Sequence, residues 1–275
     1  MGAGKPPEAG EPWPGLPCAM PAPRFQNAAK GDTALEIPLL ETLIMALVIF
    51  LGALIQGAIG FGLGIIAAPF IVMIEPALIP GLILFVALPL ASLTVWRDIA
   101  GLALGELTWA IIGRIPGTLA GLGFLAFAST RLLSVLLGLS VLFAVVLSAR
   151  QPRIRRTRPR LFGAGVLSAF MATTTSVGGP PMALLYQSAE GRSVRANLAA
   201  YMVIGTVGSL VALIAVGRFT LAHAGVSTLM LFPTFLGFLL ARVVLPLINP
   251  AWFRPGLLIL CTAAGLTALV NGLVG

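Results

Sequence analysis

The stretch QGAIGFGLGIIAAP (Gln56–Pro69) lies inside an apolar run that begins at Leu39, and ATTTSVGGPPMALLY (Ala172–Tyr186) lies inside another. Each glycine costs a helix about 1 kcal/mol and each interior proline about 3 kcal/mol relative to alanine. Neither stretch therefore continues as a plain helix. An offset of 116 residues carries Gly62 onto Gly178, Ala53 onto Ala169 and Leu51 onto Leu167, and the second apolar segment onto the sixth. Few letters match. The repeat rests on the same unusual break recurring at the same place in each half.

Outward from these breaks, the chain is apolar nearly throughout. Of 275 residues, 58% are hydrophobic and 9% charged, against roughly a quarter charged in an ordinary soluble domain. Eight of the 26 charged side chains fall in residues 1–41 and six are the arginines from Arg150 to Arg160, leaving 12 for the other 223 residues. So few charges cannot build a water-facing surface, and only helices satisfy every backbone group over such runs in lipid. The expected class is an all-α integral membrane protein. About eight hydrophobic segments are marked: 39–73, 78–97, 105–128, 131–149, 161–187, 196–217, 223–248 and 254–274.

The expected organisation is a disordered Pro/Gly/Ala-rich tail over residues 1–38, a first transmembrane repeat at 39–149, a basic cytoplasmic linker at 150–160, and a second repeat at 161–275. The tail has no apolar core of a signal peptide, and Met20 or Met45 could also start the chain. The net charge of +8 sits at segment ends rather than in an aromatic-studded patch. It orients the chain in a plasma (bacterial inner) membrane and implies no nucleic-acid partner. Cys18 and Cys261 offer no disulfide framework or metal cluster, and no cofactor is expected.

Two topologies compete. If the first and fifth segments span fully, eight loop arginines lie inside and four, including Arg192 and Arg195, outside. If both fold back as hairpins, the halves become inverted, with ten inside and only Arg131 and Arg218 outside. The positive-inside rule favours inversion, although it leaves Lys5, Arg24 and Lys30 of the tail external.

Matching interrupted helices in two repeats are the pattern of a transporter's binding site. Half-helix N-termini present free N–H groups and partial positive charge, which suits an anion. The candidate donors are Gln56, Gly57, Gly60, Gly62 and Gly64 in the first break and Ser176, Gly178, Gly179 and Pro180 in the second, with Thr173 and Thr175 in support. Gly60-x-Gly62-x-Gly64 is not a dinucleotide loop, because it lies in an apolar run rather than between a strand and a helix. Gly117 and Gly121 read as helix packing through small residues. Arg114, mid-way along the third segment, reads equally as an anion partner or gate and as a snorkelling side chain. Arg242 reads as snorkelling and His223 as interfacial. No carboxylate falls at mid-membrane, and no nucleophile–base constellation is present, so an enzyme is not expected.

Gly57-x-x-Gly60-x-Gly62-x-Gly64-x4-Pro69, together with Gly178-Gly179-Pro180-Pro181 and Tyr186, resembles the paired glycine-rich motifs of the sulfite exporter TauE/SafE family. Val194-Arg195-Ala196-Asn197-Leu198 with Tyr201 is similar to that family's sixth segment where it begins. The likeness covers about residues 40–273, with Leu63, Ala169 and Ala172 standing where the family often has glycine. It implies a multi-pass permease that moves small sulfur-containing anions (sulfite, sulfonates or sulfoacetate-type compounds), usually outward. On that footing Arg195 and Asn197 join the candidate site, Arg195 as an attractor at its mouth. The alternative is a channel-like protein or a permease for another small solute, such as an amino acid or cation. The expected partners are a small anion and the bilayer; a homo-oligomer, the direction of transport and the coupling ion are left open.

Overall fold

A computed structural model describes residues 37–59, 62–150, 154–186, 191–244 and 250–274, so all but the end of the expected tail lies outside the described residues. The described helices are α1 (Leu39–Ile59), α2 (Leu63–Ile74), α3 (Gly81–Asp98), α4 (Leu104–Phe127), α5 (Thr130–Arg150), α6 (Arg158–Thr175), α7 (Gly179–Tyr186), α8 (Gly191–Ala215), α9 (Leu221–Leu229), α10 (Leu231–Val244) and α11 (Pro250–Val274). Six stretches are long and apolar enough to cross a membrane: Leu39–Gly57, Gly81–Gly101, Leu107–Phe127, Thr130–Ala149, Arg192–Ala215 and Leu221–Ala241. The protein is a multi-pass helical membrane protein.

Several expected boundaries move. The first apolar run is two helices, α1 and α2, and the fifth is α6 and α7. The seventh is also divided, into α9 and α10. Pro233 has no N–H to give the Leu229 carbonyl, and the ladder of α10 begins one residue later with Thr234 N–H to Met230 O. α6 starts at Arg158 rather than 161, because Pro159 falls where a helix needs no donor. α8 starts at Gly191 rather than 196 and takes Arg192 and Arg195 out of the expected loop.

Both breaks turn the chain back on itself. A Cβ on Gly52 would stand 3.1 Å from the Leu63 Cα, and Leu63 N–H donates to Gln56 Oε1 at 3.2 Å. Leu63 thus lies alongside the middle of α1 rather than beyond its end. In the second half Ser168 Oγ donates to Gly178 O, and a Cβ on Gly178 would stand 2.6 Å from Ala172 Cβ.

Packing between the halves also matches. A Cβ on Gly117 would run into Val166 O and Ala169 Cβ where α4 meets α6. A Cβ on Gly237 would run into Phe50 O and Ala53 Cβ where α10 meets α1. The 116-residue offset carries Phe50 onto Val166 and Ala53 onto Ala169. These glycines bring backbones close enough for dispersion and Cα–H···O contacts to hold the helices, which is how association is driven where lipid removes the hydrophobic effect. The expected packing role of Gly117 and Gly121 holds, Gly121 closing on Thr173 Cβ. α3 crosses α8 antiparallel: Asp98 meets Arg195 at one end and Gly81 meets Phe219 at the other. α5 and α11 are antiparallel too, with Gly138 against Gly265 and Leu269 and Gly272 against Val135 and Arg131 O.

Candidate functional site

The two breaks meet. Gly62 (φ 135°) caps α2, and Ser176 (φ 64°, left-handed) ends α6. The first turn of α2 presses directly on that turn, since a Cβ on Gly64 would overlap the Ser176 carbonyl oxygen. Ser176 Oγ in turn donates to Pro80 O at 3.1 Å, which ties the second break to the start of α3.

Between them is a cavity of about 40 Å³ lined by Gln56, Gly62, Gly64, Arg114, Ser176, Gly178, Gly179 and Thr206, with Ile65, Ile83, Leu84, Ala87, Ala172, Val177 and Met202 as its apolar wall. Arg114 is 5% exposed. Its Nη1 donates to Tyr201 O at 3.4 Å and its guanidinium lies 4.4 Å from the Tyr201 ring centre. Tyr201 is pinned by its own hydroxyl, which donates to Gly165 O at 3.2 Å. Buried against Tyr201 and lining the cavity, the side chain does not snorkel, and no carboxylate among the described residues pairs with it.

The donor sets of the two breaks differ. α2 opens with Leu63, Gly64 and Ile65, whose amides come before the bond from Ile66 N–H to Gly62 O. α7 opens with Gly179-Pro180-Pro181, and the prolines have no N–H to offer. Gln56 holds the Leu63 amide with its Oε1, leaving its NH2 toward the cavity. Thr206, 3% exposed, adds a hydroxyl with no partner among the described residues.

Of the expected site residues, Gln56, Gly62, Gly64, Arg114, Ser176, Gly178 and Gly179 converge on this cavity. Gly60 lies outside the described residues. The others are placed elsewhere. Gly57 packs on α10, 2.9 Å from Ala241 Cβ for a Cβ added there, and its carbonyl accepts from Arg97 Nη1 at 3.0 Å. Thr173 Oγ1 pairs with Ser209 Oγ at 3.0 Å, and Thr175 Oγ1 donates back to Met171 O at 2.8 Å, so helix bonding consumes both hydroxyls. Pro180 is buried and is not among the residues that line the cavity. Arg195 pairs with Asp98, Nε to Oδ2 at 2.9 Å, and Arg97 Nη2 reaches the same oxygen at 3.0 Å. Asn197 is a clamp: Oδ1 accepts from Ala103 N–H at 3.0 Å and Nδ2 donates to Ser193 O at 2.9 Å. His223 caps α9 with Thr220 and reaches Ala77 O through Nε2 at 3.1 Å.

Met202 and Thr206 on α8 and the aliphatic wall on α3 were not expected. A Thr inside an apolar run gives no sign of which way it faces until α8 is docked.

A sequence model of the family described as Sulfite exporter TauE/SafE matches residues 45–268. No curated protein and no solved structure matches the chain. The matched region takes in both breaks, the cavity between them and the buried arginine, and the chain belongs to the sulfite exporter TauE/SafE family, a family of membrane transporters.

Proposed function

We propose that the chain is a secondary carrier that moves a small sulfur oxyanion of the sulfite class across the plasma membrane, outward, by alternating access around the cavity between the two breaks. The observation that carries this reading is Arg114, a buried guanidinium with no acidic partner among the described residues, beside the glycine-rich start of α2. A cation at that depth is costly and calls for a counter-charge. The α2 dipole adds to the attraction for an anion rather than a cation. Gln56 and Thr206 supply further donors. In this arrangement oxyanion oxygens would accept from the α2 amides and the guanidinium, while Ile65, Ile83 and Met202 keep water out.

The size of the cavity supports a small solute. A water-sized position needs about 10–15 Å³ of such space, so about 40 Å³ suits an ion of few atoms. A longer sulfonate requires the cavity to widen.

Inverted repeats supply the means of alternation. The paired interfaces, α4–α6 and α1–α10, repeat contact for contact, and the corresponding helices α3 and α8 cross antiparallel. Equivalent helices that pack antiparallel are related by an axis lying across them, in the membrane plane, which is the geometry of inverted halves. The hairpins bring Arg195 beside Asp98, on the side of Arg97 and the basic linker, and this supports the topology with ten arginines inside and the linker cytoplasmic.

The test is flux of labelled sulfite in proteoliposomes of the purified protein. The expected result is saturable flux, competed by unlabelled sulfite. Linear flux without saturation would point to a channel, and flux of another solute indifferent to excess sulfite or sulfonate would point to a different permease.

A further inference from the structure

The Arg114 side chain, carried by α4, rests against α8 in a notch that only glycine leaves open. The guanidinium spans Tyr201 and, one turn further on, Gly205, and a Cβ on Gly205 would overlap Arg114 Cζ, Nη2 and Nε. Gly205 is not held to glycine by its backbone, for it is an ordinary position inside α8. The atoms in the way are the far end of a flexible side chain, so alanine there is compatible with the fold and moves the guanidinium instead.

The direction of that movement is limited. The Tyr201 ring covers the guanidinium, and the tyrosine is fixed to Gly165 O. The side left open is the cavity, with Thr206 next to Gly205 on its wall. The other half has no counterpart to this pair. The 116-residue offset carries Pro89 onto Gly205, and the matched interfaces carry Gly117 onto Gly237 and so Arg114 onto Thr234, whose hydroxyl bonds back to Met230 O at 2.7 Å. The cation and its notch are a departure from the repeat, confined to one side of the site.

We propose that Gly205 is a specificity-determining residue: by letting the Arg114 guanidinium lie flat on α8 it keeps the space between that cation and the α2 amides open to the width of a small oxyanion. This rests on the transport reading above. A methyl group at 205 drives the guanidinium into the cavity, fills part of the space the anion needs and removes the cation from its Tyr201 carbonyl partner. Gly205 does not touch the anion; it acts through Arg114.

The experiment compares wild type, Gly205→Ala, Arg114→Ala, the double variant and Gly208→Ala, which points into open space on the same helix. Labelled sulfite flux in proteoliposomes and the unfolding midpoint of the purified protein are read for each. Gly205→Ala should raise KM for sulfite at least tenfold with maximal rate changed less than threefold, and Gly208→Ala should leave both within twofold of wild type. Gly205→Ala should also lower the unfolding midpoint in the Arg114 background and not in the Arg114→Ala background, where every side-chain atom that the added methyl would meet is gone. KM of Gly205→Ala within twofold of wild type overturns the proposal, as does an equal midpoint drop in both backgrounds, which a purely structural role produces. If Gly205→Ala does not insert, the double variant decides, since failure of both places the defect in α8 itself. Wild-type protein without saturable sulfite flux brings down the transport reading and this proposal together; saturable wild-type flux with a silent Gly205→Ala brings down this proposal alone.

Discussion

The carbonyl oxygen of Ser176 occupies the place where a Cβ on Gly64 would stand. This contact joins the two unravelled stretches, one from each half, and it makes Gly64 a glycine for reasons of space rather than backbone angle. It also keeps the start of α2 within the same cavity as Gly178 and Gly179. Any side chain at 64 must move backbone, and the backbone it meets is the left-handed turn that ends α6.

Gly64→Val should therefore insert in the membrane and lose transport. Gly178→Val, pressed against Ala172 Cβ and the Ser168 carbonyl, should do the same. Overpacking of this kind costs about 1–3 kcal/mol, which a bundle of this size tolerates, whereas a displaced half-helix start does not hold an anion. The measurement is sulfite flux per inserted protein, expected to fall at least tenfold in both variants. Normal flux from either separates the breaks from the site.

Much of the architecture is legible in the sequence because lipid enforces it: apolar runs must be helices, and dense Gly and Pro must interrupt them at Gln56–Pro69 and Ala172–Tyr186. The offset that carries Gly62 onto Gly178 also locates the start of each second helix, Leu63 and Gly179. What could not be read was which polar groups the helices use up themselves. Thr173 and Thr175 stand in the same hydroxyl-rich stretch as Ser176, yet only Ser176 lines the cavity, and all three hydroxyls are bonded within the bundle. Arg195 and Asn197 belong to a fixed structural joint because Asp98 and Gly101 come to them from a segment about a hundred residues away. Gly205 and Thr206 carry no local signal at all. Their role depends on Arg114 being set against α8.

Arg114 should not be replaceable by a neutral side chain. Arg114→Gln removes the cation and should abolish saturable sulfite flux and the rise in unfolding midpoint that added sulfite gives wild type by mass action. Arg114→Lys keeps the charge but loses the flat contact over the Tyr201 ring and the forked donors. It should retain flux with KM raised about tenfold, equivalent to about 1.4 kcal/mol of lost binding. Equal behaviour of the two variants would mean that charge is not what the site uses.

Asp98 holds Arg97 and Arg195 at once, and through Arg97 it reaches the carbonyl of Gly57 on α1. Asp98→Asn leaves two adjacent arginines without a counter-charge. Breaking a fully buried pair costs roughly 3–5 kcal/mol, and the partial exposure of both arginines reduces this to about 2 kcal/mol. The purified variant should show a lower unfolding midpoint, with Arg195→Gln falling less because Arg97 still pairs with Asp98. A midpoint unchanged in Asp98→Asn would show that the joint contributes nothing.

Gly117 and Gly237 occupy equivalent seams, closing on Val166 O with Ala169 Cβ and on Phe50 O with Ala53 Cβ. If the halves are true structural repeats, Gly117→Ala and Gly237→Ala should lower the unfolding midpoint by similar amounts, about 1–3 kcal/mol each, and their effects should add because the sites share no partner. Gly163→Ala and Gly225→Ala, with open space around them, serve as references and should lie near wild type. A large cost at one seam and none at the other would break the equivalence.

The contacts show which charged ends share a side of the bundle, and labelling decides which side is cytoplasmic. Arg195 cannot lie across the bilayer from Asp98 when the two are 2.9 Å apart, and the linker arginines Arg156 and Arg158 sit over Tyr186 and Trp109, near the starts of α8 and α4. At the opposite end Arg218 Nη2 donates to Leu125 O at 2.9 Å, close to Arg131 at the beginning of α5. In a background with Cys18 and Cys261 replaced by serine, Arg155→Cys and Arg192→Cys should be labelled by a membrane-impermeant maleimide only when the cytoplasmic face is open. Arg131→Cys and Arg218→Cys should be labelled from outside in intact cells. Full spanning of both interrupted runs instead predicts that Arg192→Cys labels from outside and Arg218→Cys from inside, so those two positions alone decide whether each break is a hairpin.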